Sequence, residues 1–200
     1  MPICHLTDTK ERTVLLKQDL RFQKTELALQ KAFLDLLQTK DIAKISVKEI
    51  CTVAQVSRNA FYQHYETKEH LYDSMLKEIL LSIEEACKPL AKDLASISTA
   101  ERRLFLDNIL RAVEDHRFVI YQLLTSEPAA FSAAFQEMLL SANLQGSKEV
   151  IAPPHNSYIH VFSGGVSAFV SYWLLETSFS LEEAQERLFA ILGQMMLVSD

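Results

Sequence analysis

The first 145 residues of this 200-residue chain contain no glycine, and the earliest one is Gly146. Turns that need a positive φ and loops that wrap a phosphate depend on glycine. That stretch therefore holds neither a Walker-type phosphate loop nor a dinucleotide-binding GxGxxG turn. Leu, Ala, Glu, Lys and Gln, which favour helices, are abundant instead. We predict an all-α fold whose helices are joined by short turns without glycine, around the core that a chain of 48% hydrophobic residues can form.

Charge is divided unevenly along the chain, although its total is only −6. Residues 1–70 carry eleven Lys/Arg against nine Asp/Glu, whereas residues 71–200 carry nine against seventeen. The front of the chain is thus mildly basic and the back is acidic. A surplus of two positive charges is too weak to indicate nucleic-acid binding by itself.

Several classes of site and location are disfavoured by what the sequence lacks. Three widely spaced cysteines without a CxxC pair argue against disulfides or a zinc site and favour a reducing cytoplasm. The N-terminus is charged where a signal peptide needs an apolar core. Residues 156–175 lack Asp, Glu, Lys and Arg, but their four serines and His160 favour a buried helix over a membrane span. Since no nucleophile elbow or HExxH motif occurs, we expect no enzyme activity, cofactor or metal.

Two helix boundaries lie close together near residue 50. Ser46-Val-Lys-Glu49 is a capping box, in which the serine hydroxyl and the glutamate carboxylate each accept from the other residue's backbone N–H. Ile45 and Ile50 flank this cap as a hydrophobic staple. The pattern predicts a helix of about two turns that stops at Gln55.

A second short helix begins almost at once, because Ser57 is the next N-cap. Two short helices separated by about three residues cross at a steep angle, which is the helix-turn-helix arrangement. Thr67 caps a third helix. Before these, residues 21–38 carry the apolar stripe of an amphipathic helix, and residues 1–20 are interpreted as an N-terminal arm or a frayed extension of that helix.

The second short helix has two distinct faces when its residues are placed at 100° intervals. Phe61 and Tyr65 share the buried side. The other side and the helix start carry the groups that read DNA, namely Arg58, Asn59, Ala60, Tyr62, Gln63 and His64. Amides and arginine read base edges, whereas tyrosine, histidine and serine donate to phosphates. This face indicates DNA readout, and a plain solvent-exposed face is the alternative.

The segment from about Lys24 to Leu80 resembles the DNA-binding domain of tetracycline-repressor-type (TetR/AcrR) transcriptional regulators. The matching features are Ser46 at the second helix start, Val56-Ser57 in the turn, Phe61-Tyr62 and His64-Tyr65 in the recognition helix, and Thr67-Lys68-Glu69 before Leu71. Family members usually have glycine where this chain has Gln55. If the backbone there is left-handed, Gln55 costs about 1 kcal/mol.

The resemblance implies a homodimer that places two recognition helices in successive major grooves of a palindromic operator and is released by a small-molecule inducer. It implies phosphate contacts from Ser46, Tyr62, His64 and Lys68. It implies base contacts from Arg58, Asn59 and Ala60, with Gln63 as a further contact and Ser57 at the cap of the same helix. We therefore interpret residues 21–70 as the DNA-binding domain and residues 71–200 as a helical ligand-binding and dimerisation domain.

The C-terminal part reads as five helices, over residues 69–91, 100–124, 128–144, 156–178 and 181–197, with a capping box at Ser180–Glu183. Small or apolar positions on the last two helices are candidates for a dimer interface: Gly164, Ala168, Ser171, Leu188 and Leu192. Bulky apolar residues are candidates for an inducer pocket, with ordinary core packing as the alternative: Phe105, Phe118, Tyr121, Phe131, Phe135, Met138, Phe162 and Trp173.

The sequence is consistent with two functions. The first is a ligand-responsive DNA-binding regulator, in most cases a repressor, whose partners are operator DNA, a second copy of itself and an inducer. The alternative is a helical small-molecule-binding or adaptor protein that does not read DNA.

Overall fold

The computed structural model describes residues 6–87, 98–145 and 153–196, and all regular secondary structure in these ranges is helical. The all-α prediction is therefore confirmed. The chain divides into two compact units, Met1–Met75 and Leu76–Asp200. Each unit is described separately below.

The first unit is built from helices around a small apolar core. Its elements are α1 (Leu6–Leu37), a 3₁₀ turn (Ile42–Lys44), α2 (Val47–Ala54), α3 (Arg58–His64) and the start of α4 (Lys68–Cys87). Of the two interpretations of residues 1–20, the helical extension holds from residue 6 onward. Residues 1–5 lie outside the described residues.

The stripe predicted on α1 faces the core of this unit. Leu29, Ala32, Phe33 and Leu37 are buried there, and α1 packs against α2 and α3. Burial of these side chains is the main stabilising contribution that such a short-helix unit has available. The two short helices, α2 and α3, therefore pack against the surface of α1.

The second unit contains five helices. They are α5 (Thr99–Asp115), α6 (Arg117–Ser126), α7 (Pro128–Gln145), α8 (Pro153–Glu176) and α9 (Leu181–Met196), together with the end of α4. α7 packs against α6 and α8, and α5 packs against α9. None of the described helices is both long enough and apolar enough to cross a membrane.

One boundary prediction in this unit is wrong. The single helix expected over residues 100–124 is two helices, because His116 leaves the helical conformation at φ −111° and ψ 16°. Neither glycine nor proline marks this break in the sequence. The His116 ring lies 3.0 Å from Ser82 Oγ on α4, so its partner comes from another helix.

The helix starts follow their caps. The predicted capping box at the start of α9 is present, with Ser180 N–H donating to Glu183 and Glu183 N–H donating to Ser180 Oγ. A second box, Ser98 with Glu101, sets the start of α5 and was not predicted. Both boxes satisfy backbone N–H groups that a helix N-terminus leaves without partners.

Candidate nucleic-acid interface

The start of α2 is held by a dense set of polar contacts around Glu49. Its carboxylate accepts from Ser46 N–H at 3.0 Å, from Ser46 Oγ at 2.8 Å and from Lys40 Nζ at 2.6 Å. These hydrogen bonds, the one from Lys40 being the strongest, lower the pKa of Glu49 to about 2. The predicted capping box is therefore present. Ser46 is exposed at the helix start, but its hydroxyl donates to Glu49 here, so its phosphate contact stays a prediction.

The turn between α2 and α3 contains the left-handed residue that glycine would occupy more easily. Gln55 has φ 56° and ψ 39°, and it is the one non-glycine residue with positive φ in the described chain. The turn is closed by Val56 N–H, which donates to Cys51 O at 3.0 Å. The left-handed backbone conformation anticipated for Gln55 is thus present in the turn that joins α2 and α3.

The start of α3 presents its first turn to solvent. Ser57 Oγ accepts from Ala60 N–H at 3.1 Å and so caps the helix. Arg58 and Asn59 are exposed and Ala60 is half-buried. Since the serine satisfies the backbone, the side chains of Arg58 and Asn59 have no capping role and are free to meet base edges.

The inner face of α3 anchors it to the rest of the first unit. Phe61 is fully buried and Tyr65 is nearly so, which confirms the predicted division into two faces. The Tyr65 hydroxyl donates to Glu26 Oε1 on α1 at 3.3 Å. The anchor fixes which side of the helix remains outside.

The outer face of α3 keeps an aromatic ring in solvent. Tyr62 is 57% exposed although its ring lies edge-on to Phe61, with centroids 5.5 Å apart. Gln63 is also exposed. An exposed phenol beside an exposed amide can donate hydrogen bonds outward, to a phosphate and to a base edge respectively.

His64 packs against α1 in addition to lying on the predicted DNA-facing side of α3. Its ring stacks on Phe22 of α1 with centroids 3.7 Å apart, and its Nδ1 is buried without a hydrogen-bond partner. Burial lowers the pKa of His64, and the nearby Glu26 carboxylate opposes this in part. Of the two ring nitrogens, Nε2 alone remains for the predicted phosphate contact. Phe22 itself was not singled out, because nothing in the sequence places it beside α3.

Lys68 is the DNA-facing candidate whose geometry departs most from the prediction. Its ammonium donates to the backbone oxygens of Ile42 at 2.6 Å, Ile45 at 2.8 Å and Ala43 at 3.2 Å. An ammonium has three N–H donors, so all of them have partners within the protein. The Lys68 ammonium is thus engaged within the protein in this structure, and its phosphate contact stays a prediction.

The pocket candidates in the second unit separate into two groups. Six are buried, as either core or pocket requires: Phe105, Phe131, Phe135, Met138, Phe162 and Trp173. Phe118 and Tyr121 on α6 are 53% and 42% exposed. These two lie outside the buried core to which Ile120, Leu123 and Leu124 of the same helix belong, and their place in a pocket stays a prediction.

The dimer candidates differ in how far they are buried within the chain. Leu188 and Leu192 are buried within the chain, and Leu192 lies against Gly165, where an added Cβ would meet its Cδ2 at 3.7 Å. Gly164 similarly lies against the Gln136 side chain. These three residues pack within the chain, since α8 and α9 need their small and apolar positions to pack against each other and against α7. Of the remaining candidates, Ala168 is exposed and Ser171 is half-buried.

Comparison with known proteins identifies relatives of both parts of the chain. Residues 31–75, from the second half of α1 to the start of α4, match the family model for bacterial regulatory proteins of the tetR family. Over 164 residues the chain is 25% identical to the uncharacterized HTH-type transcriptional regulator YxbF of Bacillus subtilis (strain 168). That similarity covers 81% of this chain and 43% of the relative, so the chain spans less than half the length of that curated protein.

Solved structures share the fold over most of the chain. A TetR transcriptional regulator from Streptococcus agalactiae 2603V has a TM-score of 0.61 at 24% identity, covering 89% of this chain and 98% of the other. NalD from Pseudomonas aeruginosa, described as the secondary repressor of the MexAB-OprM multidrug efflux pump, has a TM-score of 0.59 at 19% identity, covering 86% and 96%. The helical arrangement of both parts of the chain thus recurs in proteins described as regulators.

Proposed function

We propose that the chain is a regulator like the tetR-family proteins whose family model its residues 31–75 match, and that it acts in the cytoplasm as a repressor that binds a palindromic operator as a homodimer and is released by a small-molecule inducer. The observation that carries the proposal is the geometry of α3. This capped helix is anchored through Phe61 and Tyr65 and presents Arg58, Asn59 and Tyr62 outward. Such a helix fits a major groove, with its first turn toward the bases.

Electrostatics support the same orientation. The surplus of two positive charges over residues 1–70 is small, but a homodimer doubles it and places it beside two recognition helices. The surplus of eight negative charges over residues 71–200 disfavours DNA contacts by the second unit.

The proposed homodimer uses exposed residues of α8 in place of the buried candidates. Val161, Ala168, Tyr172 and Leu175 are exposed and recur at helical spacing on one face of α8, and Ile191 is exposed on α9. Apolar side chains at such spacing are typical of a helix that packs against another one. A second copy of the chain is the proposed partner for this face.

The proposed inducer site lies among the buried aromatic side chains of the second unit. The Phe105 and Phe162 rings are 6.3 Å apart, and the Phe131 and Phe135 rings stack at 5.8 Å. An apolar ligand with a few polar groups suits such surroundings. The description of NalD as a repressor supports the proposal that DNA binding lowers transcription.

The test is selection of DNA by the full chain, followed by a mobility-shift titration against the DNA that flanks its own gene. We expect an enriched palindrome whose affinity falls steeply as the salt concentration rises. A reporter behind the selected site is expected to be silenced when the protein is present. If no sequence is enriched and only a small molecule or another protein binds, DNA reading is refuted in favour of the adaptor alternative.

A further inference from the structure

We propose that Lys68 is a positioning residue, which holds the DNA-reading segment in shape through backbone carbonyls and does not itself touch DNA. The inference rests on the proposed function, because it concerns how that surface is arranged. It is carried by the three hydrogen bonds of one ammonium group and by the place of their acceptors in the chain.

The acceptors are Ile42 and Ala43, the first two residues of the 3₁₀ turn Ile42–Lys44, and Ile45, directly before the cap of α2. Ile42 O also accepts from Ile45 N–H at 3.1 Å, and a carbonyl oxygen has a second lone pair that a cation can engage. The side chain of Lys68 is only 16% exposed, so its stem is enclosed and its ammonium is directed inward. The carboxylate of Glu69 is 3.8 Å away, beyond hydrogen-bond distance, and largely exposed. The three carbonyls are therefore the principal partners of the ammonium.

The contact from Lys68 to Ile45 closes a loop of chain. α2, the strained turn and α3 all lie between these two residues. Every other DNA-facing candidate, from Ser46 to His64, therefore belongs to the segment whose two ends Lys68 joins. We name this segment, residues 46–64, the reading segment.

The Lys68 hydrogen bonds give the reading segment a directional constraint that apolar packing does not give. Burial of Phe61 and Ile50 holds the reading segment against α1, but the hydrophobic effect has no direction. Three hydrogen bonds that converge on one nitrogen fix the distance and the angle between the start of α2 and the start of α4. Because α3 ends only a few residues before Lys68, the contact sets where the outer face of α3 stands relative to Ser46.

Arginine cannot replace lysine in this role. A guanidinium is planar and spreads its donors in a fork, whereas the ammonium is a point that three carbonyls can surround. At a phosphate contact the order is different, since arginine binds phosphate at least as well as lysine does. Lys68→Arg therefore separates the two roles, and Lys68→Met removes both.

The experiment uses the full chain, with Lys44→Met as the matched control. Lys44 belongs to the same connector, is 74% exposed and pairs with Asp41 at the surface, so its replacement removes one charge and leaves the Lys68 contacts intact. Each variant is first shown by circular dichroism to be fully helical at the assay temperature. Affinity for the selected operator is then measured over a range of salt concentrations, and hydrogen exchange is followed across the reading segment.

We expect Lys68→Met and Lys68→Arg each to bind operator at least tenfold more weakly than Lys44→Met does, with the salt slope of the wild type. We also expect both to show faster exchange in the reading segment. If Lys68→Arg binds like the wild type while Lys68→Met reduces the salt slope by about 0.9, Lys68 contacts a phosphate and the inference is overturned. Unchanged exchange in both variants overturns it as well.

Failure of the proposed function is recognised separately. If the wild-type chain selects no DNA, the proposed function fails, and hydrogen exchange alone decides the positioning role. Faster exchange of residues 46–64 in both Lys68 variants but not in Lys44→Met supports that role, and equal exchange in all three refutes it.

Discussion

Replacing Gln55 by glycine is expected to stabilise the first unit. Gln55 occupies the left-handed region at φ 56° and ψ 39°, where the Cβ of a side chain approaches the backbone too closely. Its side chain is exposed, so little packing is lost when it is removed. The substitution therefore changes mainly the conformational energy of one residue.

The magnitude follows from two opposing effects. Relief of the left-handed strain is worth about 1–2 kcal/mol. The greater freedom of glycine in the unfolded chain returns about 0.4–1 kcal/mol. The net gain in the free energy of opening is about 0.5–1 kcal/mol, which slows exchange of amides that open with this unit about two- to fivefold.

Hydrogen exchange is the suitable assay because it reports on each unit separately. The single tryptophan, Trp173, belongs to the second unit, so its fluorescence does not follow the turn. The informative amides are those of Val56 and Tyr65, which donate to Cys51 O at 3.0 Å and to Phe61 O at 2.9 Å.

Gln55→Ala is the matched control, because alanine also loses the exposed side chain but keeps the Cβ and its strain. Its exchange is expected to stay close to that of the wild type, and Gln55→Asn is expected to lie between alanine and glycine. If Gln55→Gly exchanges as fast as Gln55→Ala or faster, the strain assigned to this residue is refuted.

Three further perturbations follow from the same structure. The pKa of Glu49 is lowered from 4.5 to about 2, so its contribution to the stability of α2 is complete above pH 4.5 and is lost as the pH falls from 4.5 to 2. Glu49→Gln is expected to remove this acid dependence from the hydrogen exchange of α2. An unchanged pH profile in the variant would contradict the stabilising role assigned to the Glu49 cap. Burial against Phe22 lowers the pKa of His64 below 6.5. The contribution of His64 to stability is therefore complete above pH 6.5 and decreases as the pH falls below 6.5. Operator affinity is expected to change in the opposite direction and to rise as the imidazolium forms. Denaturation measures the stability and mobility shifts measure the operator affinity, each at pH 7.5 and 5.5, to check that the two change in opposite directions. His64→Gln is expected to reduce the pH dependence of both quantities. Tyr172→Glu on α8 is expected to give a monomer in sedimentation, whereas Leu104→Glu at a similarly exposed position of α5 leaves a dimer; a dimer in both variants would exclude the proposed face.

Features encoded by short stretches of chain could be predicted from the sequence. The capping boxes at Ser46 and Ser180 depend on two residues three positions apart, and the structure contains both. The left-handed turn at Gln55 follows from the need to separate two caps by a few residues. The buried and exposed faces of α3 follow from helical spacing alone.

Features that depend on distant parts of the chain could not be predicted in the same way. The break at His116 involves Ser82, and the position of His64 depends on Phe22 of α1. The burial of Leu188 was missed because an apolar helical stripe is the same whether it faces its own chain or a second copy. Contacts between elements decide such questions, and one sequence does not contain them explicitly.

The contacts of Lys68 show the same limit at a single residue. A lysine at a helix start beside a recognition helix is a natural phosphate ligand by residue type. Its actual partners are backbone carbonyls more than twenty positions earlier in the chain. Backbone acceptors carry no signal in the residue pattern, so the sequence does not distinguish the two roles.

The central claim is that α3 reads DNA sequence, and the most direct test compares Asn59→Ala with Tyr62→Phe on an operator library. We predict that Asn59→Ala relaxes the preference at one base pair in each half-site, by about 1–3 kcal/mol. We predict that Tyr62→Phe, which removes a hydroxyl and keeps the ring against Phe61, weakens binding to all sequences alike. If Asn59→Ala leaves the selected sequence unchanged at every position, α3 is not the reading helix and the account is contradicted.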